Sequence, residues 1–173
     1  MKILFIASGF PPYLFSENIV NGKLVLAFIE EGWDVDVISK SDDGFLYSKN
    51  WSEPFTNLQK FTHEITYERG SILLRIFDII YSVIILKTYP MSGIRWARRA
   101  YSKAIKLNKS KKYDVLITRS PDDISHLVGY KIVNKINIPW IANWNDPALT
   151  IWPNPYKYEI NYFKKSLLNY NIS

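Results

Sequence analysis

Three segments of this sequence place polar side chains directly after a short apolar run, which is where open α/β sheets bind their ligands. The first begins with Ser8-Gly9-Phe10-Pro11-Pro12 and lacks the glycine spacing of a dinucleotide fingerprint or a P-loop. The segment is therefore either an ordinary strand-to-helix turn, or a loop that binds an anionic group through its backbone amides and those of the following helix N-terminus. The candidate ligand-binding residues of this segment are Gly9, Ser16, Asn18, Asn21 and Gly22.

The second segment follows the apolar run that ends at Thr118. Arg119 could clamp a phosphate or carboxylate, with Ser120 and Asp122 beside it. Asp122 also suits the start of a helix, where an acidic side chain favours the helix dipole. His126 is a candidate catalytic residue on that helix, and the alternative is a packed or surface histidine.

The third segment runs from Pro139 to Pro147 and ends in a polar, proline-fixed turn. Asp146 could accept the proton of a substrate hydroxyl as a general base, with Asn145 as a binding residue beside it. The alternative is an Asp-Pro turn with no role in chemistry.

The composition excludes several other kinds of site. The 173 residues include no cysteine, so disulfides, cysteine zinc sites and a cysteine nucleophile are excluded. Only two histidines occur, and we expect no metal site. The start of the chain is too short for a signal peptide's apolar region, so we expect a cytoplasmic protein.

The positive charge is concentrated in one stretch. Nine basic residues and no acidic residue lie between Ile79 and Tyr113, whereas the whole chain has a net charge of +6. The residues before this stretch predict an apolar helix with one narrow polar stripe, shorter than the roughly 20 residues of a membrane span. An apolar helix followed by a basic amphipathic one is typical of peripheral membrane contact, with Arg95, Arg98, Arg99, Lys103 and Lys106 as contact residues.

Two alternatives remain for this stretch. A solvated helix face that packs on the core would show the same spacing of basic residues. Nucleic acid is disfavoured, because no recognised motif or alternating aromatic residues accompany the charge.

The periodicity of apolar residues alternates between strands and helices along the chain. We expect strands at 2–7, 35–38, 61–67, 115–118 and 138–142, and helices at 16–31, 72–87, 94–109, 122–135 and 156–170. Such alternation predicts a single α/β domain over residues 1–173, Rossmann-like and three-layered, with a mostly parallel sheet.

Four of these segments together resemble the N-terminal domain of family-4 glycosyltransferases, which is one half of a GT-B fold. The order and spacing of the segments carry the resemblance more than any one of them. They are Lys2–Ile6 with Phe10-Pro11-Pro12, Gly32–Ile38, Tyr113–Ile117 with Ser120-Pro121, and Ile138–Ala142 with Asp146-Pro147.

The resemblance implies the acceptor-binding half of a hexosyltransferase that is not active without its C-terminal, donor-binding half. The full enzyme would move a sugar from a nucleotide-sugar to a glycan or lipid-linked acceptor, as in lipopolysaccharide or capsule biosynthesis of bacteria. This domain would bind no cofactor itself, and it would lie on the inner face of the plasma membrane. The alternative is a non-catalytic Rossmann-like module that binds an anionic ligand or a membrane surface.

Overall fold

A computed structural model describes residues 1–42, 51–67, 71–85, 93–120 and 123–144. Its centre is a five-stranded sheet in the order β3-β2-β1-β4-β5, in which every strand pair is parallel. The strands are β1 (Lys2–Ala7), β2 (Asp34–Asp42), β3 (Thr62–Tyr67), β4 (Val115–Arg119) and β5 (Trp140–Asn143).

Four α-helices connect these strands: α1 (Ser16–Glu30), α2 (Ile72–Ile80), α3 (Ile94–Lys111) and α4 (Asp123–Val133). A 3-10 helix at Thr56–Phe61 precedes β3, and a π-helical turn at Tyr81–Ile85 continues α2. The α/β fold with a parallel Rossmann-like sheet is therefore confirmed. The 3-10 helix was not predicted, and the terminal helix expected at 156–170 lies outside the described residues.

The central strand β1 is buried on both faces, because helices cover each side of the sheet. Leu4 and Ile6 pack into a core cluster with α3 and α4, whereas Ile3 and Phe5 pack into a second cluster with α1. Successive side chains of a strand point to opposite faces, so one apolar run serves both layers.

Helix α1 ends in a Schellman motif. Gly32 adopts a φ of +76°, its N–H donates to Ile29 O at 2.9 Å, and Trp33 N–H donates to Phe28 O at 3.0 Å. The rings of Phe28 and Trp33 stack with centroids 5.2 Å apart, which completes the motif. This turn at Gly32 leads the chain directly into β2.

A buried carboxylate ties the amino end of the sheet to α3. Asp36 accepts hydrogen bonds from Tyr113 Oη at 2.6 Å and His63 Nε2 at 3.1 Å, and Lys111 Nζ lies 2.6 Å from its Oδ2. Burial raises the pKa of Asp36, but the hydrogen bonds from Lys111, Tyr113 and His63 outweigh burial and hold this pKa below its ordinary value. This cluster fixes the end of the sheet opposite the candidate site.

Candidate functional site

The candidate site lies at the carboxyl end of the sheet, between β1 and β4. The strand order reverses here, since β2 and β3 extend to one side of β1 and β4 and β5 to the other. The loops after the two strands separate at such a switch point and leave a crevice, which is where open α/β sheets bind ligands. Helices α1 and α4 begin at this same edge, so their amino ends face it.

Arg119 is the best-positioned cation of this crevice. It is the last residue of β4, is 6% exposed, and donates from Nε to Asn21 Oδ1 at 2.8 Å and from Nη1 to Asn143 Oδ1 at 3.1 Å. Burial lowers the pKa of this guanidinium, and the negative charge of Glu17 opposes that effect. The predicted placement of Arg119 at the sheet edge is confirmed, and two amides from other elements fix its orientation.

Asn21 lies in α1 and connects this helix to the loops that follow β1 and β4, which together form the crevice. Its Nδ2 donates to Gly9 O at 2.8 Å and to Ser120 O at 3.1 Å, while its Oδ1 accepts from Arg119. The amide of Asn21 is fully buried and satisfies backbone carbonyls in both loops. Three predicted binding residues of the first and second segments therefore converge here with Arg119.

His126 forms a buried polar pair with Thr118 next to the crevice. Trp140 Nε1 donates to Thr118 Oγ1 at 2.9 Å, and Thr118 Oγ1 lies 2.7 Å from His126 Nδ1. Because the indole uses one lone pair of the hydroxyl, the hydroxyl hydrogen is free to donate to Nδ1. In that arrangement Nε2 carries the imidazole proton, and the other neutral tautomer also fits, with the hydroxyl accepting from Nδ1–H.

The Nε2 atom of His126 is buried and has no hydrogen-bond partner among the described residues. Burial lowers the pKa of His126 to about 4; nearby Asp123 raises it and Arg119 lowers it. The imidazole is therefore neutral at pH 7, and its ring packs against Trp144 with centroids 3.9 Å apart. Such a side chain can donate a hydrogen bond from Nε2 but is a poor base.

The remaining predicted residues occupy different surroundings. Ser16 is exposed in the first turn of α1, and Asn18, two residues later in the same turn, is buried. Gly22 packs beneath Pro11 and Phe55, where an added Cβ would lie 2.7 Å from both side chains, so close packing alone explains this glycine. Asp122, Asn145 and Asp146 lie outside the described residues.

Several residues of the site were not predicted. Thr118, Asn143 and Ser125 contribute hydrogen bonds, the last by accepting from the backbone N–H of Ser8 at 2.8 Å. Gly129 lets α4 approach the sheet, because a Cβ there would lie 2.7 Å from Thr118 Cγ2 and 2.8 Å from the ring of Trp140. A glycine inside a predicted helix was the one sequence signal for this close contact. In the described ranges, no group of three metal-ligating side chains occurs.

A second candidate surface surrounds α2. Asp78 is the one buried residue of this helix, at 6% exposure, and its Oδ2 lies 3.3 Å from Arg95 Nε of α3. Nine large apolar side chains of α2 and the following turn are exposed, up to 78% for Leu73. The helix therefore attaches to the domain through a polar contact and presents its apolar side chains outward. They are Ile72, Leu73, Leu74, Ile76, Phe77, Ile79, Ile80, Val83 and Ile84.

Basic residues of α3 lie beside this apolar helix. Arg98 sits over the ring of Tyr81, 5.9 Å from its centroid, directly after α2. Arg98 and Lys106 are exposed, and Arg95, Arg99 and Lys103 are partly exposed. Within the described part of the chain, no helix is both long and apolar enough to cross a bilayer.

Comparisons with known proteins support the fold. No protein-family model matches the chain, and the search of curated proteins gives no significant match. The sucrose-phosphate synthase of Thermosynechococcus elongatus superposes with a TM-score of 0.59 at 14% identity, over 98% of this chain and 39% of the synthase. The chain therefore spans well under half of that enzyme.

A second similar solved structure comes from a protein with a different function. The C-terminal domain of a hydrogenase from Pyrococcus furiosus superposes with a TM-score of 0.51 at 16% identity, over 82% of this chain and 90% of that domain. At such identities both likenesses show a shared Rossmann-like fold, and they assign no family or reaction.

Proposed function

We propose that this chain is the acceptor-binding domain of a glycosyltransferase of the GT-B type and that it works at an anionic membrane surface. The observation that carries the proposal is the switch-point crevice, where the buried Arg119 is held in one orientation by Asn21 and Asn143. A solved glycosyltransferase that contains this fold in 39% of its length supports the two-domain arrangement.

The crevice has the chemistry needed to hold a sugar that carries an anionic group. Two amides hold this buried guanidinium in one orientation, and a positive charge fixed in this way suits the recognition of a phosphate or carboxylate. The amino end of α1 adds backbone N–H groups near Ser16 and Asn18. Gly9 and Ser120 lie in the two loops that Asn21 joins, so a bound sugar would contact both.

The proposed reaction joins an acceptor hydroxyl to C1 of the donor sugar. The bond from C1 to the nucleoside diphosphate breaks, and the diphosphate leaves with the electron pair. Asp146 is the proposed base that takes the proton of the acceptor hydroxyl. The neutral imidazole of His126 would donate a hydrogen bond from Nε2 to the substrate, and the nucleotide-sugar would bind chiefly to the second half of the enzyme.

The exposed apolar helix carries the membrane part of the proposal. Leu73 and Phe77 are 78% and 55% exposed, whereas soluble domains usually expose apolar side chains singly. The adjoining α3 supplies basic side chains, and an anionic bilayer surface matches both the charge and the apolar area. Accordingly, the protein would lie on the cytoplasmic face of the membrane and contact a glycan or lipid-linked acceptor there.

Ligand binding in the crevice can be measured by NMR on the ¹⁵N-labelled chain with glucose 6-phosphate as the probe. We expect shifts of amides in the loops after β1 and β4, and weaker binding of inorganic phosphate, which lacks the sugar hydroxyls. Arg119→Gln should weaken glucose 6-phosphate binding at least about tenfold, because a hydrogen bond to a charged group contributes roughly 1.5–3 kcal/mol. Lys109→Gln removes an exposed cation from the last turn of α3, outside the crevice, and serves as the control.

Equal affinity in the wild type and Arg119→Gln, in a variant with an unchanged amide spectrum elsewhere, would contradict the proposed site. Binding of inorganic phosphate as tightly as glucose 6-phosphate would favour the second candidate, a non-catalytic module for anionic ligands. That candidate rests on the same fixed Arg119, since the crevice needs no catalysis to hold an anion.

Membrane contact can be measured by sedimentation with phosphatidylcholine vesicles that contain phosphatidylglycerol. We expect binding that Leu73→Ser with Phe77→Ser removes and that 0.5 M salt weakens. Equal binding to neutral vesicles, or none, would refute the membrane proposal. A stable dimer in light scattering that the same two substitutions dissociate would assign the apolar helix to a second copy instead.

A further inference from the structure

A groove between α3, α4 and the π-helical turn lies outside the crevice. Its volume is about 700 Å³, and its walls include Tyr81, Arg98 and Tyr101 on one side and Tyr130, Lys131 and Lys135 on the other. This size falls in the range of pockets that hold small ligands, roughly 300–1,000 Å³. Most of its walls are helix residues, and Asn134 and Lys135 lie in the turn directly after α4.

The groove carries positive charge without compensation. Arg98, Lys131 and Lys135 line it, no acidic residue does, and none of the three has a carboxylate within ion-pair distance among the described residues. Burial lowers the pKa of Lys131, and the positive charge of Arg98 lowers it further. Cations that are crowded together in this way would be stabilised by a bound anion.

Aromatic side chains shape the groove and hold one of these cations. The guanidinium of Arg98 lies over the ring of Tyr81, which restricts its position at the mouth of the groove. Tyr101 and Tyr130 add phenol rings that combine an apolar body with a hydroxyl. Such walls fit a ligand that has both a phosphate and an organic part.

The apolar helix decides between a soluble phosphate compound and a lipid. Tyr81 lines the groove and directly follows α2, and Ile84 in the same turn is 64% exposed. A lipid whose phosphate occupied the groove would have its acyl chains beside the exposed apolar residues of α2. A soluble phosphate compound would leave those residues in water.

We propose that the groove between α3 and α4 binds the phosphate-bearing headgroup of an anionic lipid, with the acyl chains against α2. The inference deepens the membrane contact proposed above and rests on it. It adds a discrete headgroup site to what would otherwise be a diffuse attraction between basic residues and a charged surface.

Two charge-matched double variants separate a discrete site from diffuse attraction. Lys131→Gln with Lys135→Gln removes two charges from the groove, and Lys103→Gln with Lys106→Gln removes two from α3 outside it. Each is measured for sedimentation with phosphatidylglycerol-containing vesicles, and circular dichroism checks that each is folded. Diffuse attraction depends on the number of charges and predicts equal losses.

We expect the groove variant to lose at least about tenfold more vesicle affinity than the α3 variant, which loses only the diffuse attraction of two charges. Equal losses would overturn the headgroup site and leave membrane contact in place. A wild-type chain that binds no anionic vesicles would overturn both.

NMR with glycerol 1-phosphate tests the soluble alternative. The headgroup site predicts weak shifts at groove amides that vesicles compete away. Tight glycerol 1-phosphate binding in a chain that ignores vesicles would make the groove a site for a soluble phosphate and would refute the lipid assignment.

Discussion

The buried imidazole of His126 predicts a specific pH dependence of folding stability. Its side chain is 1% exposed, and burial lowers its pKa to about 4, whereas a histidine in an unfolded chain titrates near 6.5. Between these two values the unfolded state binds a proton that the folded state does not. Stability therefore falls as the pH decreases from about 6.5 towards 4.

The size of this effect follows from the two pKa values. At pH 5 the unfolded state gains about 2 kcal/mol from protonation of this one group, since each pKa unit corresponds to about 1.4 kcal/mol. The full loss of stability, about 3.4 kcal/mol for a shift of about 2.5 pKa units, is reached only below the folded pKa, so pH 5 already shows more than half of it. At pH 7.5 the contribution is close to zero, so measurements at pH 7.5 and 5 bracket the effect.

Urea denaturation of the wild type and of His126→Gln at pH 7.5 and pH 5 measures this change in the free energy of unfolding. The variant loses stability at pH 7.5 because the contact with Thr118 is altered, but its further loss on going to pH 5 should be smaller than that of the wild type by about 2 kcal/mol. In a His63→Gln background one histidine remains, and its NMR titration reads the pKa directly. An equal pH dependence in wild type and variant, or a titration near 6.5, would refute a neutral buried His126.

Other substitutions test the packing around the site and at the far end of the sheet. Asp36→Asn should lower the free energy of unfolding by about 2 kcal/mol in urea denaturation, because it leaves Lys111 with a weaker partner. The control Asp34→Asn, at an exposed carboxylate, should lower it by less than about 1 kcal/mol. Equal losses in the two variants would contradict a stabilising role of the buried cluster. Since its pKa is held below the ordinary value, the contribution of Asp36 is present above about pH 4 and is lost as the pH falls through the folded pKa. Gly129→Ala should destabilise the domain by at least about 1 kcal/mol despite the helix preference of alanine, because the added Cβ meets Trp140; a stabilised variant would show that the helix can shift.

The sheet could be predicted because it depends on local patterns. Continuous apolar runs such as Lys2–Ala7 and Val115–Arg119 are what strands covered on both faces require. Gly32 marks the end of α1 because the turn needs a positive φ. These signals lie within a few residues of one another, so no knowledge of the tertiary fold is needed to read them.

The contacts that define the site are long-range and could not be predicted. Arg119 and Asn21 are 98 residues apart in the chain, and Trp140 reaches Thr118 from the neighbouring strand, 22 residues away. Each residue type alone fits a turn, a cap or a core position. The burial that makes His126 neutral arises only when α4 packs on the sheet.

The exposed side of helix α2 could not be predicted from local sequence patterns either. The sequence indicates an apolar helix with a narrow polar stripe, and ordinary packing would bury the apolar side. Instead, the ion pair of Asp78 with Arg95 sets the orientation, and residues such as Leu73 are exposed. Under the membrane proposal, the surface that covers this apolar side lies outside the domain, and local sequence patterns carry no information about it.

The central claim is that this domain is one half of a two-domain glycosyltransferase, and the coding sequence beyond Ser173 tests it most directly. We expect it to encode a second Rossmann-like half with two glutamates separated by seven residues, as in the donor-binding domain of family-4 glycosyltransferases. A stop codon directly after Ser173, or a following domain without a nucleotide-sugar site, would contradict it and leave a module that binds an anionic ligand or membrane.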